Sequence, residues 1–138
     1  MTATTTSKIL YADDDLDDRF FFEETLAATG MAAALVYAAN GEEAITYLES
    51  AKQTDALPAL IVLDLNMPRK NGTETLSYIK SHPRFAKIPV VMLSTSATKK
   101  DKDTCAHLGA ASFFKKPNRY TDYVQLIKSF QPFMEPAC

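Results

Sequence analysis

The sequence lacks an excess of charge of either sign. Its 138 residues include 15 Lys and Arg against 17 Asp and Glu, so the net charge at pH 7 is −2. A protein that binds nucleic-acid backbones carries a basic surplus, because it must neutralise phosphates. The charge balance therefore argues against direct DNA or RNA binding.

Long apolar runs are also missing, and cysteine is rare. Residues 1–8 are rich in threonine and have no apolar core of the kind that a secretory signal peptide needs. No apolar stretch approaches the roughly 20 residues of a membrane-spanning helix. The two cysteines, Cys105 and Cys138, lie far apart in the sequence, which favours reduced thiols over a disulfide. We expect a soluble cytoplasmic protein without a membrane partner.

The sequence shows no internal repeat and no linker. A chain of 138 residues suits one domain that can bury its own core. We expect residues 8–134 to form this domain, with residues 1–7 and 135–138 as short tails. We therefore expect no DNA-binding domain and no direct DNA binding.

The strongest local signal is a buried strand that ends in a carboxylate. Residues 60–63 are Leu-Ile-Val-Leu, and Asp64 follows directly. A continuous apolar run with β-branched residues is typical of a strand that is buried on both faces. Pro68 and the Asn-Gly pair at 71–72 then break the strand. Asp64 is therefore expected at the carboxyl edge of a central strand, where open α/β sheets bind ligands.

Five predicted strands alternate with five predicted helices along the whole chain. This alternation indicates an α/β protein with parallel strands, right-handed crossovers and helices on both faces of the sheet. The predicted strands are residues 9–12, 35–38, 60–64, 88–93 and 111–115, and the predicted helices are residues 16–29, 42–52, 73–81, 99–107 and 119–130.

Polar side chains collect where the predicted strands end. Asp13 and Asp14 follow the first strand, Asp64 ends the third, and Ser94 and Lys116 follow the fourth and fifth. Because parallel strands end at one edge of the sheet, these side chains are expected to meet. Three carboxylates in one pocket raise each other's pKa, and a small hard cation such as Mg²⁺ relieves that repulsion.

The same set of residue types suits phosphoryl transfer. Lys116 supplies a mobile positive charge for a phosphate oxygen, and the hydroxyl of Ser94 can donate to another. Asp64 is the candidate nucleophile, because a carboxylate can form an acyl phosphate. Taken singly, an acidic residue after a strand often only caps a helix, and a Lys-Pro pair usually marks a turn. The combination of four loops at one sheet edge is much more specific.

The sequence resembles the receiver domain of two-component response regulators from residue 8 to residue 133. This resemblance implies a flavodoxin-like (βα)5 fold, a three-layer sandwich around a five-stranded parallel sheet of order 2-1-3-4-5. The motifs that carry it are Ile-Leu-Tyr-Ala-Asp-Asp-Asp at 9–15, Asp-Leu-Asn-Met-Pro at 64–68 with Asn-Gly at 71–72, Ile-Pro-Val-Val-Met-Leu-Ser at 88–94, and Gly-Ala-Ala-Ser-Phe-Phe-Lys-Lys-Pro at 109–117.

The resemblance assigns the phosphoacceptor and the metal ligands. It implies that Asp64 accepts a phosphoryl group from the phosphohistidine of a histidine kinase. It also implies that Asp13, Asp14, Asp64 and the backbone carbonyl of Asn66 hold Mg²⁺.

The resemblance also implies a conformational switch. Ser94 stands at the position of the family's switch hydroxyl, Phe113 at that of its switch aromatic, and Lys116 at that of its lysine. We expect Ser94 to hydrogen-bond the phosphoryl group and Phe113 to turn inward into the space that Ser94 vacates. The peptide bond between Lys116 and Pro117 is expected to be cis by the same resemblance.

Two other functions stay open. Enzymes of the haloacid dehalogenase type also use an aspartyl nucleophile and Mg²⁺, but they carry a second aspartate two residues later, where this chain has Asn66. A pseudo-receiver would be an interaction module with an inactive pocket, and the complete set of acidic, hydroxyl and lysine residues argues against it. We therefore predict a single-domain response regulator rather than an enzyme, with only its own phosphorylation and autodephosphorylation as chemistry.

The expected partners are a histidine kinase and an unidentified downstream protein. The residues at 17–19 and at 94–96 are most similar to those of stand-alone receivers, including receivers that serve phytochrome-type kinases. A homodimer through the face of the fourth helix, fifth strand and fifth helix is a further expectation.

Overall fold

The computed structural model describes residues 7–53 and 56–134. Most of the predicted tails, and Cys138 with them, lie outside these residues. No helix within them is long and apolar enough to cross a membrane. The elements, in chain order, are β1 (Ser7–Ala12), α1 (Leu16–Thr29), β2 (Ala33–Ala38), α2 (Gly41–Ser50), β3 (Leu60–Asp64), α3 (Gly72–Ser81), β4 (Val90–Ser94), α4 (Lys99–His107), β5 (Ser112–Lys115), α5 (Tyr120–Lys128) and α6 (Gln131–Met134).

The five strands form one parallel sheet in the order β2-β1-β3-β4-β5, which confirms the predicted topology. The central strand β3 pairs with β1 on one side and β4 on the other. In this register Ala12 lies opposite Leu63, and Asp64 lies opposite Leu93. The ends of β1, β3 and β4 are therefore level, and the residues that follow them share one edge.

The sheet separates two hydrophobic cores, because successive side chains of a buried strand point to opposite faces. One core is covered by α1 and α5, whose buried residues include Phe22 and Tyr123. The other is covered by α2, α3 and α4 through residues such as Leu48, Leu76 and Cys105. All five side chains of β3 are buried, as its continuous apolar run predicts.

Polar side chains cap the starts of α1 to α4 at the carboxyl edge. The side chain of Asp15 accepts hydrogen bonds from two backbone amides of α1, and that of Thr98 accepts from one amide of α4. Asn71 and Glu74 form a reciprocal capping box at the start of α3. The predicted bounds of α1 and α4 are confirmed at both ends.

The bounds of β1, β2, α2, α3 and β5 differ from the predicted ones by one or two residues, and those of β4 and the last helix differ at a proline. The fourth strand was expected from residue 88 but begins at Val90, since Pro89 has no amide hydrogen and contributes only its carbonyl, which accepts from Ile61. The last helix was expected to run to residue 130 but ends at Lys128, and α6 follows it. Pro132 cannot donate the hydrogen bond that would continue one helix through this segment.

Gly72 allows α3 to begin against the end of β3. A Cβ atom at this position would lie 2.4 Å from the carbonyl oxygen of Asp64 and 2.8 Å from the Cα of Leu65. Backbone atoms cannot move aside to make that room, so the absence of a side chain permits the close approach. The amide of Gly72 also donates to the carbonyl of Leu65 at 2.9 Å, which fixes the backbone just after Asp64.

Candidate functional site

Asp64 ends β3 with its side chain almost completely buried at the carboxyl edge of the sheet. Its Oδ2 lies 3.5 Å from the Nζ of Lys116, and its Oδ1 accepts a long hydrogen bond of 3.4 Å from the amide of Asn66. A buried carboxylate with few donors keeps free lone pairs, so Asp64 is available as a ligand or a nucleophile.

Asp13, Asp14 and Asp64 form a carboxylate cluster at this edge. One oxygen from each of the three lies within 4.8 Å of the others, although Asp13 and Asp64 are buried and Asp14 is exposed. An all-oxygen donor set that is open to solvent on one side suits a hard divalent cation that keeps some of its water. The sequence prediction that these three residues meet is therefore confirmed as geometry.

The Asp13 carboxylate is held by the protein through both oxygens. Its Oδ1 accepts from the amide of Asp15 at 3.0 Å. Its Oδ2 accepts from the hydroxyl of Tyr11 at 2.5 Å and from the Nζ of Lys116 at 2.8 Å. Tyr11 was not among the predicted site residues. It precedes Asp13 by two residues. Because side chains alternate between the two faces of an extended chain, both point to the same face, and this two-residue spacing could have predicted their contact.

Lys116 crosses the site from the end of β5 and binds an unpredicted fourth carboxylate. Its Nζ donates to Asp18 on α1 at 2.7 Å as well as to Asp13. Burial by itself lowers the pKa of Lys116, but the hydrogen bonds to Asp13 and Asp18 raise it above its ordinary value. The lysine is therefore a permanent positive charge. The sequence offered a simpler role for Asp18, since acidic residues are common in the first turn of a helix.

The electrostatics of Asp64 favour its neutral form in the absence of a cation. Burial and the nearby Asp13 carboxylate raise the pKa of Asp64 to about 7, and Lys116 opposes them only in part. One lysine thus does not balance the buried carboxylates. This shortage of positive charge is what a divalent cation would correct.

The predicted switch residues lie on β4 and β5, outside the carboxylate cluster. Ser94 ends β4 and is fully buried, and its Oγ accepts from the amide of Ser96 at 3.2 Å. Phe113 is half-buried and packs on the core that α2, α3 and α4 cover. Its ring therefore lies on the opposite side of the sheet from α1 and α5.

The expected cis peptide bond between Lys116 and Pro117 is wrong. No peptide bond among residues 7–53 and 56–134 is cis. The trans form is the lower-energy isomer of an X-Pro bond by about 0.5–1 kcal/mol, so this bond adopts the ordinary geometry.

Three large apolar side chains near the starts of α1 and α5 are exposed. Leu16, Phe20 and Tyr120 are 59%, 63% and 46% exposed. Leu16 borders the acidic pocket together with Asp14, and Tyr120 contacts α1 through an edge-to-face contact with Phe21 at 6.0 Å. We call Leu16, Phe20 and Tyr120 the apolar rim. It spans the first five residues of α1 and the first residue of α5.

The family model for the response regulator receiver domain matches residues 9–128. The chain belongs to this family. The match includes Asp13, Asp14, Asp18, Asp64 and Lys116. The receiver is thus part of the two-component signalling class, as the sequence motifs predict.

Relatives and solved structures support the same assignment. Response regulator Rcp1 from Synechocystis sp. is 29% identical over 127 residues, which cover 91% of this chain and 86% of Rcp1. The crystal structure of the phosphorylated cyanobacterial phytochrome response regulator RcpA has a TM-score of 0.83 at 33% identity and covers 94% of each chain. The Mn²⁺-bound form of Rcp1 has a TM-score of 0.80 at 28% identity, covering 96% of this chain and 97% of that one. The flavodoxin-like receiver fold is confirmed.

We expect Asp64→Asn to stabilise this receiver in EDTA, and to do so more at pH 8 than at pH 5. An unfolded aspartate has a pKa of about 4. Folding with Asp64 ionised therefore becomes more costly as the pH rises towards the folded pKa of about 7, and the full cost applies above it. The gain in unfolding free energy over wild type should be about 1–3 kcal/mol larger at pH 8.

Urea denaturation at the two pH values measures this difference. Glu24→Gln, which removes an exposed charge from α1, is the control and should show no such pH dependence. An equal gain in unfolding free energy from Asp64→Asn at both pH values would contradict the raised pKa of the buried Asp64 carboxylate.

Proposed function

We propose that this chain is a single-domain response regulator whose Asp64 accepts a phosphoryl group from a histidine kinase. The observation that carries the proposal is the position of Asp64 at the end of β3, with Lys116 at 3.5 Å and two more carboxylates beside it. The receiver domain is proposed to span residues 8–134 and to work in the cytoplasm.

The proposed reaction is an in-line transfer between two nucleophiles. A carboxylate oxygen of Asp64 attacks the phosphorus of the donor phosphohistidine, and an O–P bond forms as the P–N bond breaks. The electron pair of the P–N bond remains with the imidazole, which takes up a proton from solvent. Lys116 stabilises the negative charge of the phosphoryl oxygens in both states. Later attack of water on phosphorus releases inorganic phosphate and restores Asp64.

The metal in this proposal is Mg²⁺. Asp13, Asp14, Asp64 and the backbone carbonyl of Asn66 would hold it, and it would neutralise charge on the transferring group when bound. The hard oxygen donors and the Mn²⁺-bound form of Rcp1 support a divalent cation at this place. Tyr11 and Asp15 keep Asp13 in a fixed orientation, as groups behind metal ligands commonly do.

The alternatives have less support. A phosphatase of the haloacid dehalogenase type needs an acid or base two residues after the nucleophile, and Asn66 cannot supply a proton there. A pseudo-receiver would not need a lysine held between acidic side chains at the end of β5. We therefore propose a phosphorylated signalling protein with no substrate of its own.

The first test is the mass of the intact protein after incubation with acetyl phosphate. We expect wild type to gain one phosphoryl group in Mg²⁺ and none in EDTA, and Asp64→Asn to gain none in either, because the nucleophile is missing. Asp103→Asn, an exposed substitution on α4, is the control and should behave as wild type. A wild type without a Mg²⁺-dependent adduct would reject the phosphoacceptor and leave the pseudo-receiver.

We further propose that phosphorylation is read through Ser94 and Phe113. A phosphorylated Asp64 carries a phosphoryl group of about −1.5 to −2 charge with new acceptor oxygens, in place of the charge of its own carboxylate. Ser94 would move to donate to one of them, and Phe113 would turn into the space that results. The face formed by α4, β5 and α5 would then change, and a downstream protein or a second copy of this chain would bind it.

Ser94→Ala tests this switch. Fluoroberyllate with Mg²⁺ mimics the phosphoryl group, and we expect it to shift the NMR signals of Phe113 in wild type. In Ser94→Ala the signals near Asp64 should still shift while those of Phe113 do not, because no hydroxyl moves. Ser94→Thr keeps the hydroxyl and should keep the Phe113 response. An unchanged response in Ser94→Ala would contradict the coupling.

The apolar rim is our proposed docking surface for the phosphodonor protein. A donor histidine must reach Asp64 from the solvent side, so the body of the donor must rest on residues beside the acidic pocket. Leu16 lines the acidic pocket, and Phe20 and Tyr120 are further large apolar side chains exposed near the starts of α1 and α5. Since RcpA is named as a phytochrome response regulator, a phytochrome-type histidine kinase is the first donor to test.

Phe20→Ala separates docking from chemistry. We expect it to slow phosphotransfer from the kinase by about tenfold, because the lost contact is at a proposed interface centre. Phosphorylation by phosphoramidate, which has a P–N bond and no protein surface, should be unchanged. Rapid-quench kinetics measure both rates. Equal slowing with both donors would place the effect of Phe20 at the site rather than at docking.

A further inference from the structure

Lys116 divides its charge among three carboxylates at unequal distances. Its Nζ lies 2.7 Å from Asp18, 2.8 Å from Asp13 and 3.5 Å from Asp64. The two short contacts have the length of charge-assisted hydrogen bonds, and the third does not. Asp64, the proposed phosphoacceptor, therefore has the weakest interaction with Lys116 of the three carboxylates.

The three carboxylates also differ in their access to water. The side chains of Asp13 and Asp64 are 0% and 9% exposed, whereas that of Asp18 is 31% exposed. Breaking a pair with a buried carboxylate leaves an uncompensated charge in the protein interior, which is strongly unfavourable. A carboxylate at the surface is rehydrated instead. Asp18 is thus the partner that Lys116 can give up at the lowest cost.

A buried tyrosine hydroxyl belongs to a residue that lines the same cleft as Asp18. The hydroxyl of Tyr123 on α5 is buried and has no hydrogen-bond partner among the described residues. Tyr123 and Asp18 line the same cleft between α1 and the segment after β5. Burial raises the pKa of Tyr123 to about 12, so this hydroxyl keeps its proton and remains a donor.

We propose that Asp18 is a positioning residue that competes with the phosphoryl group for Lys116. This inference rests on the proposed function, since it concerns the same phosphoacceptor site. In the unphosphorylated protein Asp18 draws the Nζ of Lys116 away from Asp64. When a phosphoryl group forms on Asp64, Lys116 keeps its bond to Asp13 and exchanges Asp18 for a phosphoryl oxygen. The exchange involves hydrogen bonds alone, without a covalent step.

The competition lowers the apparent affinity of the site for a phosphoryl group. A ligand that binds only when Lys116 has left Asp18 has an apparent affinity equal to its intrinsic affinity multiplied by the fraction of protein in that state. Removing the Asp18 carboxylate should therefore tighten binding, although it removes a hydrogen bond from the protein. A residue with a purely structural role would not have this effect.

Asp17 provides a matched control for Asp18. It lies next to Asp18 in the same first turn of α1, is exposed, and makes no ion pair with Lys116 in the part of the chain that the structure describes. Asp17→Asn and Asp18→Asn remove the same charge from the same helix terminus. Both variants therefore gain affinity for an anion from the loss of one negative charge, and a difference between them reports on the contact with Lys116.

The test is the affinity for fluoroberyllate in saturating Mg²⁺, measured by NMR titration on the full chain. The variants are Asp17→Asn, Asp18→Asn, Lys116→Gln and the double variant Asp18→Asn with Lys116→Gln. We expect Asp18→Asn to bind about fivefold more tightly than Asp17→Asn, which corresponds to about 1 kcal/mol. In the Lys116→Gln background, Asp18→Asn should have no such effect, because there is no lysine to release.

The same variants without ligand report on the ion pair itself. Urea denaturation in a double-mutant cycle should give a coupling between Asp18 and Lys116, and no coupling would overturn the proposal. Equal affinities of Asp17→Asn and Asp18→Asn, weaker binding by Asp18→Asn, or a gain that persists without Lys116 would overturn it as well. A wild type that does not bind fluoroberyllate would instead reject the phosphoacceptor function, and the competition with it.

Discussion

The ion pair between Lys116 and Asp13 is the interaction on which the site depends. It joins residues 103 positions apart in the sequence and links the end of β5 to the end of β1, two strands that are not neighbours in the sheet. Asp13 is completely buried, so without this lysine and the Tyr11 hydroxyl it would be an unpaired charge in the interior. The same contact therefore positions Lys116 and compensates the buried charge of Asp13.

The remaining chemistry follows from an imbalance of charge around that pair. Among the described residues, Lys116 is the one cation within 4 Å of the buried Asp13 and Asp64, and it is shared with the partly exposed Asp18. The pKa of Asp64 rises to about 7 because burial and Asp13 outweigh the lysine. A site of this kind gains from a hard divalent cation, and an added phosphoryl group would redistribute the contacts of the lysine. The excess of negative charge in the resting site is the reason that a bound cation or a phosphoryl group would change its contacts.

Much of this arrangement could be predicted from local patterns. The apolar run of β3 and the alternation of strands with helices predicted the parallel sheet, and the predicted bounds of α1 and α4 agree with the structure. Asp13, Asp14 and Asp64 were predicted to meet because parallel strands end at one edge. The misjudged ends of β4 and of the last helix both involve proline, whose missing amide hydrogen has an effect that depends on the neighbouring elements.

The sequence by itself determined the fold class, the edge of the sheet that carries the chemistry and the type of each group there. Tertiary structure alone decided which of two identical neighbours, Asp17 or Asp18, contacts Lys116, and that Tyr11 donates to Asp13. The fold class could be predicted because hydrophobic periodicity and helix capping depend on residues that are close together in the sequence. The choice between Asp17 and Asp18 depends on the rotation of α1 about its axis, which packing on Tyr11 and Tyr123 sets.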